Sequence, residues 1–220
     1  MSNIIYPFAH LLGGVILICA FALLSQRRLA AMITLYQFEA FTLTAAAFWQ
    51  GYAQHELALY LTGVITLVIK AIALPIGLRR IVKNFNIVRA VETAMPVGLS
   101  MILGVGLIGV AVWVVLPTTM NAVTLTREDL AISLSVVLLG LLVMTTRRNA
   151  LSQVVGFLST ENGLVLAAIG MPGMPFVAEL SVALLVLMAF LVVGVFLFRI
   201  REHFDNLDIA GIESIEKQGR

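Results

Sequence analysis

Four ionisable side chains interrupt long apolar runs in this chain: Glu39, Lys70, Glu161 and Glu179. At the centre of a membrane-spanning helix each costs roughly 2.5–3.5 kcal/mol on insertion scales, so residues of this kind mark functional sites. The chemistry they fit is proton transfer. Burial disfavours the charged form of an acid or an amine, and a neighbouring opposite charge favours it. Carboxylates and a lysine set between those two influences can exchange protons near neutral pH. Polar neighbours surround two of the acids. Gln37, Thr42 and Thr44 accompany Glu39, while Ser159, Thr160 and Asn162 accompany Glu161, enough to hold a few waters. Pro75, five residues after Lys70, frees the backbone carbonyl of residue 71, making either a plain kink or a polar site beside the lysine. Each acid also has a structural reading. Glu39 and Lys70 could form an interhelical ion pair, and Glu179 lies near a helix end where a carboxylate can reach headgroup water. His10 reads as an interface residue.

The elements that must position these groups are membrane helices. Of 220 residues, 60% are hydrophobic and only 12% charged, and the mean hydropathy is +1.03. A soluble domain carries about 25% charged residues. Apolar runs of about 20 residues exclude a barrel, whose strands span in about 10. The expected fold is an all-α polytopic membrane protein with about seven spans, at roughly 4–24, 30–50, 57–78, 97–116, 130–146, 150–170 and 176–198. The first reads as a retained helix, without a basic n-region or a small-residue cleavage site. With a rise of ~1.5 Å per residue, Glu39 sits roughly 14 Å deep, Lys70 roughly 12 Å and Glu161 roughly 17 Å. These depths lie near the midplane of a core about 30 Å thick. Glu179 is shallower. The groups therefore lie along the plane of the membrane, not across it.

Charge sets the orientation. With the N-terminus outside, one face receives Arg27, Arg28, Arg79, Arg80, Lys83, Arg89, Arg147, Arg148, Arg199, Arg201, Lys217 and Arg220, and the other only Arg127. The positive-inside rule places the first set, and the C-terminus, in the cytoplasm. The chain divides into an N-terminal three-helix part (1–80), an amphipathic connector on the cytoplasmic surface (81–96), a four-helix part (97–198) and a cytoplasmic tail (199–220). A faint repeat relates the runs that follow Arg27–Arg28 and Arg147–Arg148, aligning Glu39 with Glu161. One cysteine, Cys19, excludes an internal disulfide, a paired-thiol redox motif and a cysteine-ligated cluster. No zincin motif, phosphate loop or nucleophile–base pair is visible. The chain is expected to hold no cofactor, no metal and no redox centre, and to bind no nucleic acid.

The stretch from Arg147, RRNALSQVVGFLSTENGLVLAA, followed by FVAELSVALLVL and a tail containing Leu207–Asp208, resembles component E of hydrogenase 4 and formate-hydrogenlyase-like complexes. The run Gln153, Gly156, Glu161, Asn162, Gly163 carries most of the resemblance, which extends over most of the chain; Lys70 followed by Pro75 also matches. Members of that family are membrane subunits of assemblies related to respiratory complex I, and their C-terminal part is similar to its small K subunit. The resemblance implies that Glu161 and Glu179 correspond to two intramembrane glutamates on a proton-conducting axis. The 18-residue spacing here is shorter than in the K subunit. Two other positions depart from the pattern: Glu39, often Gln in the family, and Leu185, often Asp.

The resemblance implies a non-catalytic subunit of an oxidoreductase complex in a bacterial or archaeal inner membrane. Its partners would be antiporter-like membrane subunits, a soluble redox module and lipids. Glu161, Glu179, Lys70 and Glu39 would pass protons laterally. The alternative is a structural scaffold whose buried charges fix helix packing. A stand-alone transporter is a third reading, disfavoured because both three-helix halves run in the same direction.

Overall fold

The computed structural model describes residues 2–84, 93–118 and 124–170. These form helices α1 (Ser2–Ser25), α2 (Leu29–Gln54), α3 (Leu57–Ile65), α4 (Leu74–Asn84), α5 (Val97–Thr118), α6 (Thr124–Thr146) and α7 (Ala150–Ile169). A π-helical segment, Thr66–Ala73, joins α3 to α4 without a break. Among the described residues there is no strand, only a single antiparallel bridge between Thr93 and Arg147. The fold is all-α, and five helices are long and apolar enough to cross a membrane: Pro7–Ser25, Leu29–Gln54, Leu57–Lys83, Val97–Pro117 and Glu128–Thr146.

The segment of the sixth expected span, 150–170, forms α7, whose 20 residues reach about 30 Å, but it is not among those five. It is less apolar than the other five because Ser152, Gln153, Ser159, Thr160, Glu161 and Asn162 interrupt it. It is also deeply enclosed: residues 158–163 are buried on every side. The seventh expected span, Glu179 and the tail from 199 lie outside the described residues, as does most of the expected connector. Helix α4 runs on to Asn84, past the end expected for the third span.

Apolar spacing explains the packing. On α1, Leu12, Ile16, Cys19, Ala20, Leu23 and Leu24 recur every three to four residues and are buried. On α2 the buried stripe reads Leu29, Met32, Ile33, Tyr36, Glu39, Ala40 and Leu43, so Glu39 occupies a core position on an otherwise apolar face. Helix α1 packs against α2, α5 and α6, and α2 against α7. The outward side chains are apolar too. Ile102, Val105 and Trp113 of α5, and Leu57, Leu61, Val64 and Val68 of the third span, are exposed. In water such a surface would be an aggregation liability; against lipid tails it is the expected one.

Helices α6 and α7 meet backbone to backbone. A β-carbon on Gly156 would stand 2.7 Å from Met144 N and 3.0 Å from Gly140 O. One on Gly163 would stand 2.8 Å from Val137 N, and one on Gly140 would collide with Thr160. This is the small-residue seam by which helices associate where no hydrophobic drive separates side chain from lipid. At one end of the bundle Arg147 clasps α1. Its Nη2 donates to Leu23 O at 3.0 Å and to Leu24 O at 2.7 Å, satisfying carbonyls that a helix end leaves open. Burial lowers the Arg147 guanidinium from its usual range, while the negative end of the α1 dipole favours its charge. Ala94 N donates to Thr146 O beside it. At the opposite end His10 of α1 lies between Glu128 and Asp129 of α6, with Nδ1 2.9 Å from Asp129 Oδ1 and Nε2 3.5 Å from Glu128 Oε2.

Candidate functional site

The site is assembled from α2, the π-helical segment and α7. Pro75 governs the second. Lacking an N–H, it cannot donate to the carbonyl of Ala71, and its ring crowds that carbonyl. Ahead of it the helix widens to the i→i+5 pattern, and Leu74 N bonds Ile69 O. Such π segments are rare and recur at functional sites. This one carries Lys70 inward while its neighbours point outward: Lys70 is 1% exposed, whereas Val68, Ile69 and Ile72 are exposed.

The lysine crosses to α7. Its Nζ lies 3.0 Å from Glu161 Oε1 and donates to Asn162 Oδ1 at 3.3 Å. The contact with Glu161 is an ion pair at short range without hydrogen-bond alignment. Glu39, fully buried, accepts a hydrogen bond from Ser159 Oγ at 3.0 Å through Oε1. Three of the four expected site residues, Glu39, Lys70 and Glu161, are thus brought together in one buried cluster; Glu179 lies outside the described residues. Lys70 pairs with Glu161, not with Glu39, so the simple Glu39–Lys70 ion pair is not the arrangement adopted.

The polar neighbours separate into two groups. Thr42 and Thr44 hydrogen-bond the carbonyls of Phe38 and Ala40, four residues back, and Thr160 does the same with Gly156. These hydroxyls are spent on their own helices. Ser159 and Asn162 reach across instead. One participant was missed from sequence: Tyr36, fully buried one turn before Glu39 on the same face of α2. Its hydroxyl, Glu39 Oε2, Glu161 Oε2 and Asn162 Nδ2 are all buried without a hydrogen-bond partner. Its place every third or fourth residue in the α2 stripe was the available signal, but a tyrosine there reads as core.

The charge count matters. Two carboxylates and one ammonium, all 1% exposed or less, leave one negative charge in excess when every group is ionised. Uncompensated charge is strongly disfavoured in a low-dielectric interior. A proton on one carboxyl would balance the set. The unpartnered carboxylate oxygens of Glu39 and Glu161 offer places for it, directly or through water.

Over 215 residues the chain is 31% identical to the uncharacterized protein Rv0085 of Mycobacterium tuberculosis, an alignment covering 95% of this chain and 96% of that protein. No family model and no solved structure matches the chain.

Proposed function

The chain belongs to the family of Rv0085 of Mycobacterium tuberculosis, and we propose, from the motif resemblance around Glu161 and the buried cluster, that it is a membrane subunit of a complex-I-like, hydrogenase-4-type assembly. In this reading it contributes a buried lateral proton path to redox chemistry carried out by partner subunits. The protein sits in the inner membrane with seven spans, its N-terminus outside and the Arg27, Arg79 and Arg147 end in the cytoplasm. Protons pass among Glu39, Lys70 and Glu161 toward an antiporter-like neighbour, and the resemblance implies a part for Glu179 in the same relay.

The observation that supports this reading is the Lys70–Glu161–Asn162 contact with Glu39–Ser159 beside it, buried together among helices apolar enough to cross a membrane. A lone ion pair would satisfy a packing role. A second carboxylate that leaves the charge unbalanced, with unpartnered polar atoms around it, suits proton exchange better. The path runs through side chains of α2, the π segment and α7, so protons move within the membrane plane and need no pore through this subunit.

The test is Glu161→Gln in the assembled complex, reconstituted into proteoliposomes. The complex assembles and electron transfer continues, but proton movement per electron is lost. Unchanged proton movement refutes the relay. Loss of assembly with no change in pH response supports the scaffold reading instead.

A further inference from the structure

The carbonyl that Pro75 releases has a partner, and that partner leads away from the buried cluster. Gln37 of α2 donates from Nε2 to Ala71 O at 3.0 Å. Its other end, Oε1, accepts from Arg79 Nη2 at 2.8 Å. Arg79 belongs to α4, is exposed, and also donates to Thr34 Oγ1 at 3.3 Å. An amide oxygen and nitrogen are interchangeable in shape, and only their partners decide which way the group faces. Here both partners are unambiguous. A guanidinium can only donate and a carbonyl can only accept, so Arg79 fixes Gln37 with its nitrogen toward Ala71.

We propose that Gln37 is a positioning residue for Lys70, held in its working orientation by Arg79. Ala71 is the next residue after Lys70, and the π-helical segment that carries both has lost the ladder bond that Pro75 would have closed. The Ala71 carbonyl is thereby left to find a donor elsewhere. Gln37 replaces the missing donor from a neighbouring helix and ties the turn to α2. Since Glu39 lies two residues along α2 and Glu161 is held on α7, the tie sets the reach of the Lys70 ammonium toward Glu161. Arg79 makes the tie sensitive to its surroundings. An anionic group arriving at this exposed guanidinium competes for Nη2, frees the Gln37 amide to turn, and loosens the turn that bears the lysine.

The proposal concerns the same site as the proton-relay reading and rests on that reading only for its functional consequence. Its structural content is tested apart from transport. The chain has three lysines, Lys70, Lys83 and Lys217. With Lys83 and Lys217 replaced by arginine and the remaining lysine labelled with 15N at Nζ, solid-state NMR of the protein in lipid reads Lys70 alone. Gln37→Leu and Gln37→Glu both move the Lys70 signal. The second keeps the size and the Arg79 contact but has no donor for Ala71, which separates donor loss from misfolding. Arg79→Leu moves it as the Gln37 variants do. Hydrogen exchange across residues 66–79 rises at least about fivefold in the Gln37 variants, the equivalent of one net hydrogen bond, while α1 and α6 are unchanged. A Lys70 signal and an exchange rate that stay at parent values in Gln37→Glu overturn the proposal. Signal movement without any loss of proton coupling leaves Gln37 as a positioning residue and refutes the relay.

Discussion

Lys70→Met is the most informative perturbation of the buried cluster. Nζ and Glu161 Oε1 stand 3.0 Å apart with both side chains 1% exposed. Removing one partner of a buried pair costs about 3–5 kcal/mol, because the remaining charge keeps its desolvation penalty without its counter-charge. Lys70→Met lies at the upper end, since it leaves two carboxylates, Glu161 and Glu39, with no cation in the cluster. Glu161→Gln lies at the lower end, since the ammonium still has Glu39 nearby and Asn162 Oδ1 as an acceptor. The double variant Lys70→Met/Glu161→Met removes both charges at similar volume, a replacement that is often neutral or stabilising. Reversible unfolding in mixed micelles measures the series. The double variant is expected to be more stable than Lys70→Met, with a coupling energy of about 3 kcal/mol, roughly two orders of magnitude in the folding equilibrium. Additive single effects, within about 0.5 kcal/mol, would refute the claim that the two charges depend on one another.

Other consequences concern the frame around the cluster. Gly156→Leu drives a side chain into the Met144 and Gly140 backbone and is expected to destabilise the bundle by about 1–3 kcal/mol or more in the same assay. Gly106→Ala, where an added β-carbon meets nothing within 4 Å, should be neutral or stabilising by up to about 1 kcal/mol. Arg147→Leu strips the donor from the carbonyls of Leu23 and Leu24; a loss of about 1–3 kcal/mol follows, read by faster hydrogen exchange at the end of α1.

Much of this site was legible because hydropathy is a one-dimensional signal. A charge inside an apolar run is visible at once, so Glu39, Lys70 and Glu161 stood out, and residue counting placed them at similar depths. Pairing was not legible. Which acid Lys70 meets depends on the π-helical widening, which displaces every residue before it relative to a regular helix, and on a lysine long enough to cross to α7. Pro75 signalled a freed carbonyl at residue 71, but the donor that fills it, Gln37, lies 34 residues away. The threonines beside Glu39 and Glu161 misled in a simple way. Hydroxyls on helices can return to their own backbone, and Thr42, Thr44 and Thr160 do. Charge also misplaced the start of α6. The expected span opened at 130, yet Glu128 and Asp129 lie within Thr124–Thr146, where His10 faces them.

The seam between α6 and α7 has a mechanical meaning. Two backbones in close contact along Gly140, Gly156 and Gly163 leave little side-chain volume between them to compress or re-rotamerise, so this pair behaves as a stiff post. Glu161 and Asn162 are mounted on it. Lys70 rides instead on a widened turn whose slack is taken up by a single side-chain amide. The two members of the ion pair therefore differ in compliance: one is a fixed datum and the other an adjustable pointer. Any stroke that changes their separation is expected to originate on the lysine side.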